Sequence, residues 1–208
     1  KLYKHNGFKG GNPWHHKVQY KTNIVERDTF SQSTGFEAAW HFTVGQELPE
    51  AVRRDIKFVV ETPEHSEVYL NGTKIDKEAG EWWLDRSFDV YAGGSAIQPG
   101  KNTIQVKASR MSVFTELQPV YLLGDFSLST QEKGFALEPD QPLEPGSWKD
   151  QGMQWYAGEV KYSKTYTVDK EQGSHYKVKL GDWNGSVAEV MVNGRHAGNI
   201  GWAPYEKE

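Results

Sequence analysis

Residues 66–75 read SEVYLNGTKI, and residues 188–197, which begin 122 positions later, read AEVMVNGRHA. In both stretches a Glu-Val pair opens a run with apolar residues at alternate positions, and the run ends at an Asn-Gly dipeptide, residues 71–72 and 193–194. Asn-Gly suits a type I′ turn between two strands, because both central residues of that turn need a positive φ. Each stretch is therefore predicted to form a β-hairpin, and the repetition indicates an internal duplication.

The same period of two surrounds both hairpins. Apolar residues alternate with polar ones over residues 36–44, 56–60 and 104–108 around the first hairpin, and over 160–168 and 176–180 before the second. This spacing predicts strands with one buried face, and no stretch shows a sustained helical period. Equivalent points lie about 120 residues apart, so we expect an all-β chain of two related antiparallel β-sandwich units in tandem.

The boundary between the units is predicted near Gly124. The first unit then covers residues 1–123 with an amino-terminal arm, and the second covers residues 124–208, beginning with a connector rich in Pro, Gly and acidic residues. The first unit continues with a further strand beyond Asp89, whereas Glu208, the counterpart of Asp89, is the last residue. The second sandwich is therefore expected to be incomplete.

The expected gap in the second sandwich has two solutions that stay open. More chain could supply the missing strand, or residues 17–25 of the arm could supply the pairing. An uncovered sheet edge exposes unpaired backbone groups and favours association. We therefore expect a dimer through the second unit, or a neighbour that caps it.

Composition excludes several classes of protein. The 208 residues carry a formal net charge of −4, and the 24 Lys and Arg residues are spread along the chain, which argues against a nucleic-acid partner. No apolar run approaches the length of a membrane-spanning helix, and no cleavable signal peptide opens the sequence. The lack of cysteine excludes disulfides, Cys-ligated zinc and thiol nucleophiles.

Aromatic residues are abundant in this otherwise polar chain. Eight Trp, ten Tyr and nine Phe make up 13% of the residues, although mean hydropathy is −0.73. Such a composition places many rings near polar surfaces. Some rings are expected to pack within the strands, since flat bulky side chains suit a pleated, half-buried face, and others remain for contacts with a ligand.

Several stretches carry a resemblance to a known family: WHFTV, SEVYLNG, GEWWLDRSFDV, PGKNTIQV, LQPVYLLGDFSL, YAGEVKYSKTYTV and SVAEVMVNGRHAGNIGWAPYE. Over residues 35–208 the chain resembles the galactose-binding-like jelly-roll modules of large glycoside hydrolases. The resemblance is greatest to the sugar-binding domains of family 2 enzymes and the carboxy-terminal sandwiches of family 106 rhamnosidase-like enzymes. The strand that this resemblance leads us to expect after Glu206 is absent.

The resemblance implies more than a fold. It implies antiparallel jelly-roll sandwiches, often with a structural calcium, that carry no catalytic residues of their own. It also implies a secreted protein, extracellular or periplasmic, whose partner is the catalytic domain of a larger glycoside hydrolase. No leader for secretion is expected within this chain.

Candidate carbohydrate-binding residues in the first unit follow the hairpin directly. Because neighbouring residues of a strand point to opposite faces, one of two adjacent Trp residues should be buried and the other outward. An outward ring can stack on the C–H face of a pyranose while acids and Arg bind its hydroxyls; packing of both rings within the protein is the alternative. The candidates are Trp82, Trp83, Asp85 and Arg86.

A second group of candidate binding residues lies further along the chain. Their loops could converge at one end of a sandwich, where binding sites are common. Scaffold packing is the alternative for these rings, above all around the hairpin. The residues are Trp155, Trp183, Trp202 and Tyr205. Trp14, His15 and His16 are expected to be exposed in a tethering arm.

Metal sites are weakly indicated. His15 and His16 are adjacent and so point apart, and no His-x-x-x-His spacing occurs, so we reject zinc. Asp76 and Asp89 could offer oxygen ligands to a structural calcium, with solvated loop acids as the alternative. No other cofactor is expected.

The sequence thus predicts a non-catalytic carbohydrate-binding module that binds poly- or oligosaccharide by ring stacking and polar contacts. The alternative is a structural or interaction sandwich that buttresses a catalytic domain without binding sugar. Hydrolase activity of this chain alone is disfavoured, because the sequence nominates no carboxyl pair across a cleft. Exposed rings beside polar groups would favour sugar binding, and complete burial of every Trp would favour the spacer.

Overall fold

The computed structural model describes residues 2–5, 34–63, 65–112, 115–169 and 173–208. Two predicted features lie outside the described residues: the tether with Trp14, His15 and His16, and the pairing strand over residues 17–25. Within the described ranges no helix is long and apolar enough to cross a membrane. The chain divides into two compact units, Lys1–Glu159 and Val160–Glu208.

Unit 1 is built almost entirely of strands. Its short helices are α1 (Leu2–His5) and α2 (Glu50–Asp55), with 3-10 turns at Gly94–Ala96 and Trp148–Gln151. Its strands are β1 (Phe36–Val44), β2 (Lys57–Glu61), β3 (Ser66–Leu70), β4 (Thr73–Ile75), β5 (Trp82–Trp83), β6 (Asp85–Ala92), β7 (Gly100–Ala108), β8 (Tyr121–Leu123), β9 (Ser127–Thr130) and β10 (Phe135–Glu138).

These strands form two sheets with a shared core. The larger has the order β4-β3-β7-β1-β10-β9 and is antiparallel except for the β1–β10 pair, and the smaller, β5-β6-β2-β8, is antiparallel throughout. One apolar cluster joins Leu70 and Ile104 of the larger sheet to Phe58 and Tyr91 of the smaller. Unit 1 is therefore a β-sandwich, as the period-two pattern predicts.

Strand positions in unit 1 confirm the sequence analysis closely. The stretches 36–44, 56–60 and 104–108 lie in β1, β2 and β7, apart from Ile56, which immediately precedes β2. Along β7 every second residue from Asn102 to Ala108 is buried. The alternation of burial in this strand is the direct result of its alternating sequence.

Strands beyond residue 123 also belong to unit 1. Strand β10 pairs parallel with β1, with Ala136 opposite Thr43 and Leu137 opposite Val44. Leu137 is also part of the core. The structure thus divides the chain after Glu159 and not after residue 123. The sequence around these short strands is rich in Pro and Gly, and this composition is typical of a connector.

Unit 2 contains short strands in two two-stranded sheets. The strands are β11 (Val178–Lys179), β12 (Ala188–Val192), β13 (Arg195–Ile200) and β14 (Glu206–Lys207), paired as β11–β14 and β12–β13. The strand predicted over residues 160–168 is wrong, since this stretch has no regular structure and Tyr166 is 69% exposed. An alternating sequence buries its apolar face only when it is part of a sheet on which another layer packs, and none of the described strands pairs with this stretch.

The two hairpins share their turn and a cross-strand pair. Asn71 and Asn193 have φ values of 51° and 50°, and the glycines that follow are also positive, at 82° and 77°, as a type I′ turn requires. Before each turn a Glu faces a basic partner on the return strand. The Nζ of Lys74 lies 2.6 Å from Glu67, and the Nε2 of His196 lies 3.8 Å from Glu189.

We expect Leu137→Ala to lower the free energy of unfolding of unit 1 by about 2–5 kcal/mol, because it leaves a cavity in the core. Leu84→Ala is the matched control, since Leu84 is 74% exposed and its truncation should change stability by less than about 0.5 kcal/mol. Urea unfolding followed by tryptophan fluorescence measures both. Equal effects of the two variants would contradict the place of β10 in this core.

Candidate functional site

An open pocket lies at the end of strands β2 and β6 in the smaller sheet of unit 1. Its volume is about 290 Å³. Strands β2 and β6, the segment after β4 and the loop before β8 each contribute side chains to it. The lining residues are Glu61, Thr62, Pro63, Lys77, Arg86, Ser87, Asp89 and Glu116.

A break in the pairing of β5 with β6 shapes this pocket. Trp82 pairs with Asp89, but the next residue, Trp83, pairs with Asp85, so residues 86–88 have no partners on β5. Leu84 makes the tight turn between the strands with a φ of 61°. Extra residues in one strand of a pair bend it and re-aim its side chains, and two of the extra residues here line the pocket.

Three rings pack together beside the pocket. The ring centroids of Trp83 and Tyr121 are 5.0 Å apart, those of Phe88 and Tyr121 6.1 Å, and those of Trp83 and Phe88 6.4 Å. The pairing of β2 with β6 sets Phe88 opposite Glu61, which lines the pocket. We call Trp83, Phe88 and Tyr121 the ring cluster.

Trp82 is the exposed member of the adjacent Trp pair. It is 54% exposed, whereas Trp83 is partly buried in the ring cluster. Residues directly opposite in an antiparallel pair have Cβ atoms about 5 Å apart, so the pairing places Trp82 beside Asp89 of the pocket. The site therefore combines an accessible indole with polar groups.

Acidic groups dominate one side of the pocket. Burial raises the pKa of the Glu61 carboxyl, and the negative charges of Glu116 and Asp85 raise this pKa further. The pKa of Asp85 is lowered, because its carboxylate accepts hydrogen bonds of 2.9 Å from both the backbone N–H and the hydroxyl of Ser87. Glu61 thus faces charged neighbours that oppose its ionisation.

Two cations complete the lining. The Lys77 ammonium lies 2.9 Å from the Asp89 carboxylate, so these two charges largely offset each other. Arg86 lines the pocket and belongs to none of the ion pairs found among the described residues. Its five donors are suited to hydroxyl or carboxylate oxygens of a ligand.

The loop that carries Glu116 is fixed by a buried contact. The Tyr3 hydroxyl of α1 donates to the Thr115 carbonyl at 2.7 Å, and the Thr115 hydroxyl accepts from the Ser112 N–H at 2.8 Å. Burial and the Glu116 charge raise the pKa of Tyr3 to about 12. Tyr3 therefore remains a neutral donor that holds this side of the pocket.

The structure brings part of the predicted set of binding residues together. All four candidates of the first unit lie along the β5–β6 hairpin, and one of them, Arg86, lines the pocket; the others are Trp82, Trp83 and Asp85. Sequence reasoning missed Glu61, Lys77 and Glu116, which come from separate segments and carry no motif. Of these three residues, only Glu61 has a sequence feature that could have marked it, because it directly follows a predicted strand.

Trp155 lies elsewhere in unit 1. It is 76% exposed and its ring packs edge-to-face on Phe135 of β10, with centroids 6.1 Å apart. Because β10 belongs to the larger sheet, Trp155 is not a neighbour of Trp82 in the sheet pairing. A binding role for Trp155 stays a prediction.

The remaining candidates lie in unit 2. Trp202 is exposed, and the Tyr205 carbonyl accepts a hydrogen bond of 2.9 Å from the Leu180 N–H, which fixes the start of β14. Trp183 lies over Gly185, where an added Cβ would come within 2.3 Å of its ring, so this loop packs on the indole. Binding roles for Trp183, Trp202 and Tyr205 stay predictions.

A calcium ion at Asp76 and Asp89 would compete with a cation that is already present. The Lys77 ammonium already occupies the Asp89 carboxylate, and a cation would have to displace it. In the part of the chain that the structure describes, no three His, Asp or Glu residues are grouped to hold a metal ion. Calcium binding stays a prediction of the resemblance.

Comparisons with known proteins give faint likenesses. No protein family and no curated protein matches the sequence. Among solved structures, an α-L-rhamnosidase from Aspergillus terreus is similar with 11% identity and a TM-score of 0.29, over 50% of this chain and 13% of that enzyme. An α-L-rhamnosidase from Dictyoglumus thermophilum is similar with 16% identity and a TM-score of 0.26, over 51% of this chain and 12% of that enzyme.

Both structural neighbours are thus glycoside hydrolases of which this chain spans only a small part.

We expect Glu61→Gln to be more stable than the wild type at neutral pH. The pKa of Glu61 is higher in the folded than in the unfolded chain, so the folded state binds more protons between these two pKa values. Stability from this group is therefore lost as pH rises through that window. Glu61→Gln carries no charge at this position and therefore avoids this loss of stability. Its stability advantage over the wild type should shrink at about pH 4, where the wild-type carboxyl becomes protonated.

Urea midpoints of the wild type and Glu61→Gln across this pH range measure the effect. Glu132→Gln is a matched control in an exposed turn. A difference between wild type and Glu61→Gln that does not change with pH would contradict the repulsive environment of Glu61.

Proposed function

We propose that unit 1 is a non-catalytic carbohydrate-binding module and that the pocket with Trp82 is its binding site. The observation that supports this most is the pairing of exposed Trp82 with Asp89, which puts an accessible ring beside a polar pocket. We further propose that the chain is an ancillary part of a larger, secreted glycoside hydrolase, whose catalytic domain supplies the chemistry.

The chemistry of a pyranose matches this pairing. One face of the sugar presents C–H groups, which stack on an indole, and the rim presents hydroxyls, which can donate as well as accept hydrogen bonds. The carboxylates of Glu61 and Glu116 accept from hydroxyls, and the Arg86 guanidinium donates to them. Mixed charge around an exposed ring therefore suits a neutral, hydroxyl-rich ligand.

Binding at so open a site is expected to be weak. One stacked ring contributes about 0.5–1.5 kcal/mol beyond burial of area, and each net hydrogen bond about 1 kcal/mol. Immobilising the ligand costs several kcal/mol. The balance corresponds to dissociation constants in the micromolar to millimolar range.

A structural sandwich that buttresses a catalytic domain is the second candidate. The packing of Trp83 against Phe88 and Tyr121 favours it, because a ring held in such a cluster serves the fold. The exposure of Trp82 is not explained by this role. The two functions therefore differ in what they require of Trp82.

Calorimetric titration with a panel of plant and bacterial glycans tests the proposal. For any glycan that binds, Trp82→Ala should weaken affinity about tenfold or more, which corresponds to about 1.4 kcal/mol. Tyr166→Ala is the control, since it removes an exposed ring that is not among the candidate binding residues. Its affinity should stay at the wild-type value.

Two outcomes would contradict this function. Wild-type heats for Trp82→Ala would remove the indole from the site and favour the buttressing role. Release of reducing sugar during the same titrations would show catalysis by the chain itself.

A further inference from the structure

The first hairpin is held on both sides of its leading strand. Strand β3 pairs with β4 across the turn and with β7 on its other edge, from Ser66↔Ala108 to Leu70↔Ile104. In unit 2 the equivalent strand, β12, is paired with β13. Across the described residues no strand pairs with the other edge of β12, so its backbone groups there lack ladder partners.

The two hairpins also differ in the burial of the residue that precedes the Asn-Gly turn. Leu70 is fully buried, with 0% exposure, and belongs to the core that includes Ile104 of β7. Val192, at the same position of the second hairpin, is 52% exposed. The apolar residue is present in both hairpins, and in the first it packs in the core with Phe58 and Tyr91 of the smaller sheet, beside Ile104 of β7.

The turn asparagine of the first hairpin contacts β7 directly. The Asn71 carboxamide donates to Asn102 Oδ1 and accepts from the Thr103 N–H, both at 2.8 Å, and its backbone N–H donates to the Thr103 carbonyl at 2.9 Å. Asn193 has the same backbone conformation. Within the described part of the chain, none of the hydrogen bonds found involves its carboxamide.

We propose that the free edge of β12 is a docking site for an extended peptide strand with the pattern of β7. The occupant is a polypeptide segment that pairs antiparallel with β12 and carries Asn-Thr-Ile-Gln-Val-Lys or a close variant. Added strands gain affinity from main-chain hydrogen bonds and specificity from alternate side chains. The inference depends on the repeated hairpin and not on sugar binding.

The pairing of β3 with β7 predicts which side chain the docked peptide needs at each position. Ile104 lies opposite Leu70, so an apolar residue should cover Val192. Lys107 lies opposite Glu67, so a basic residue should face Glu189. The pKa of Glu67 is lowered chiefly by the hydrogen bonds from Lys74 and Tyr69, and the charge of Lys107 also lowers it. The residue after the occupant's Asn should donate its N–H to the Asn193 carboxamide.

A fluorescein-labelled peptide with the sequence of residues 99–109, PGKNTIQVKAS, tests this site on the whole chain by anisotropy. We expect saturable binding that Asn193→Gly weakens about tenfold or more. Glycine keeps the positive φ of the turn, so this variant removes the carboxamide without breaking the hairpin. A peptide with Ala in place of its Asn should also bind more weakly.

Asn71→Gly is the matched control. Its carboxamide is bound within unit 1, so this variant should lower the urea midpoint of the chain and leave the peptide affinity unchanged. Val192→Lys should abolish binding, since a charge would replace the apolar contact.

Three results would overturn the proposal. The wild-type chain could fail to bind the peptide saturably, or Asn193→Gly could bind it with unchanged affinity. A chain that sediments as a dimer, and that the peptide fails to dissociate, would show instead that a second copy occupies the edge of β12.

Discussion

Pairing along β7 is the constraint on which the larger sheet depends. This strand lies between β1 and β3, and one buried polar residue, Asn102, fixes its position. The Asn102 carboxamide accepts from the Gln98 N–H at 3.0 Å, donates to the carbonyls of Gln98 and Gly100, and accepts from Asn71. A buried amide must have its partners, and a shift of register between β7 and β3 would remove the hydrogen bond between Asn102 and Asn71.

The two hairpins separate what a local sequence dictates from what its neighbours dictate. Turn geometry and the cross-strand Glu pairing are repeated at Asn71 and Asn193, so they follow from the local sequence. Burial is not repeated, since Leu70 is covered and Val192 is half exposed. An alternating strand specifies which face is apolar, whereas the layer that packs on this face determines whether it leaves water, as the smaller sheet does for Leu70.

The sequence predicted local features well and distant pairings poorly. Strands β1, β2 and β7 and both type I′ turns follow from periodicity and the Asn-Gly pairs. β10 was missed because its four residues are too short for a periodic signal, and its place beside β1 is a long-range parallel pairing. The stretch 160–168 has the period of a strand without a described partner. Equally, nothing in the sequence brings Glu61, Lys77 and Glu116 to one pocket.

The candidate site lies where the regular pattern breaks. Alternation alone predicts one outward Trp, but it does not predict that residues 86–88 have no partners on β5, nor that Leu84 takes a positive φ. Local departures from sheet rules are common where a protein binds a ligand, because the stable sheet around them supports the cost. Here the departure turns Arg86 and Ser87 into the pocket while Trp82 keeps its partner Asp89. The backbone positions of the ring and of these polar groups are thus fixed by one strand pair.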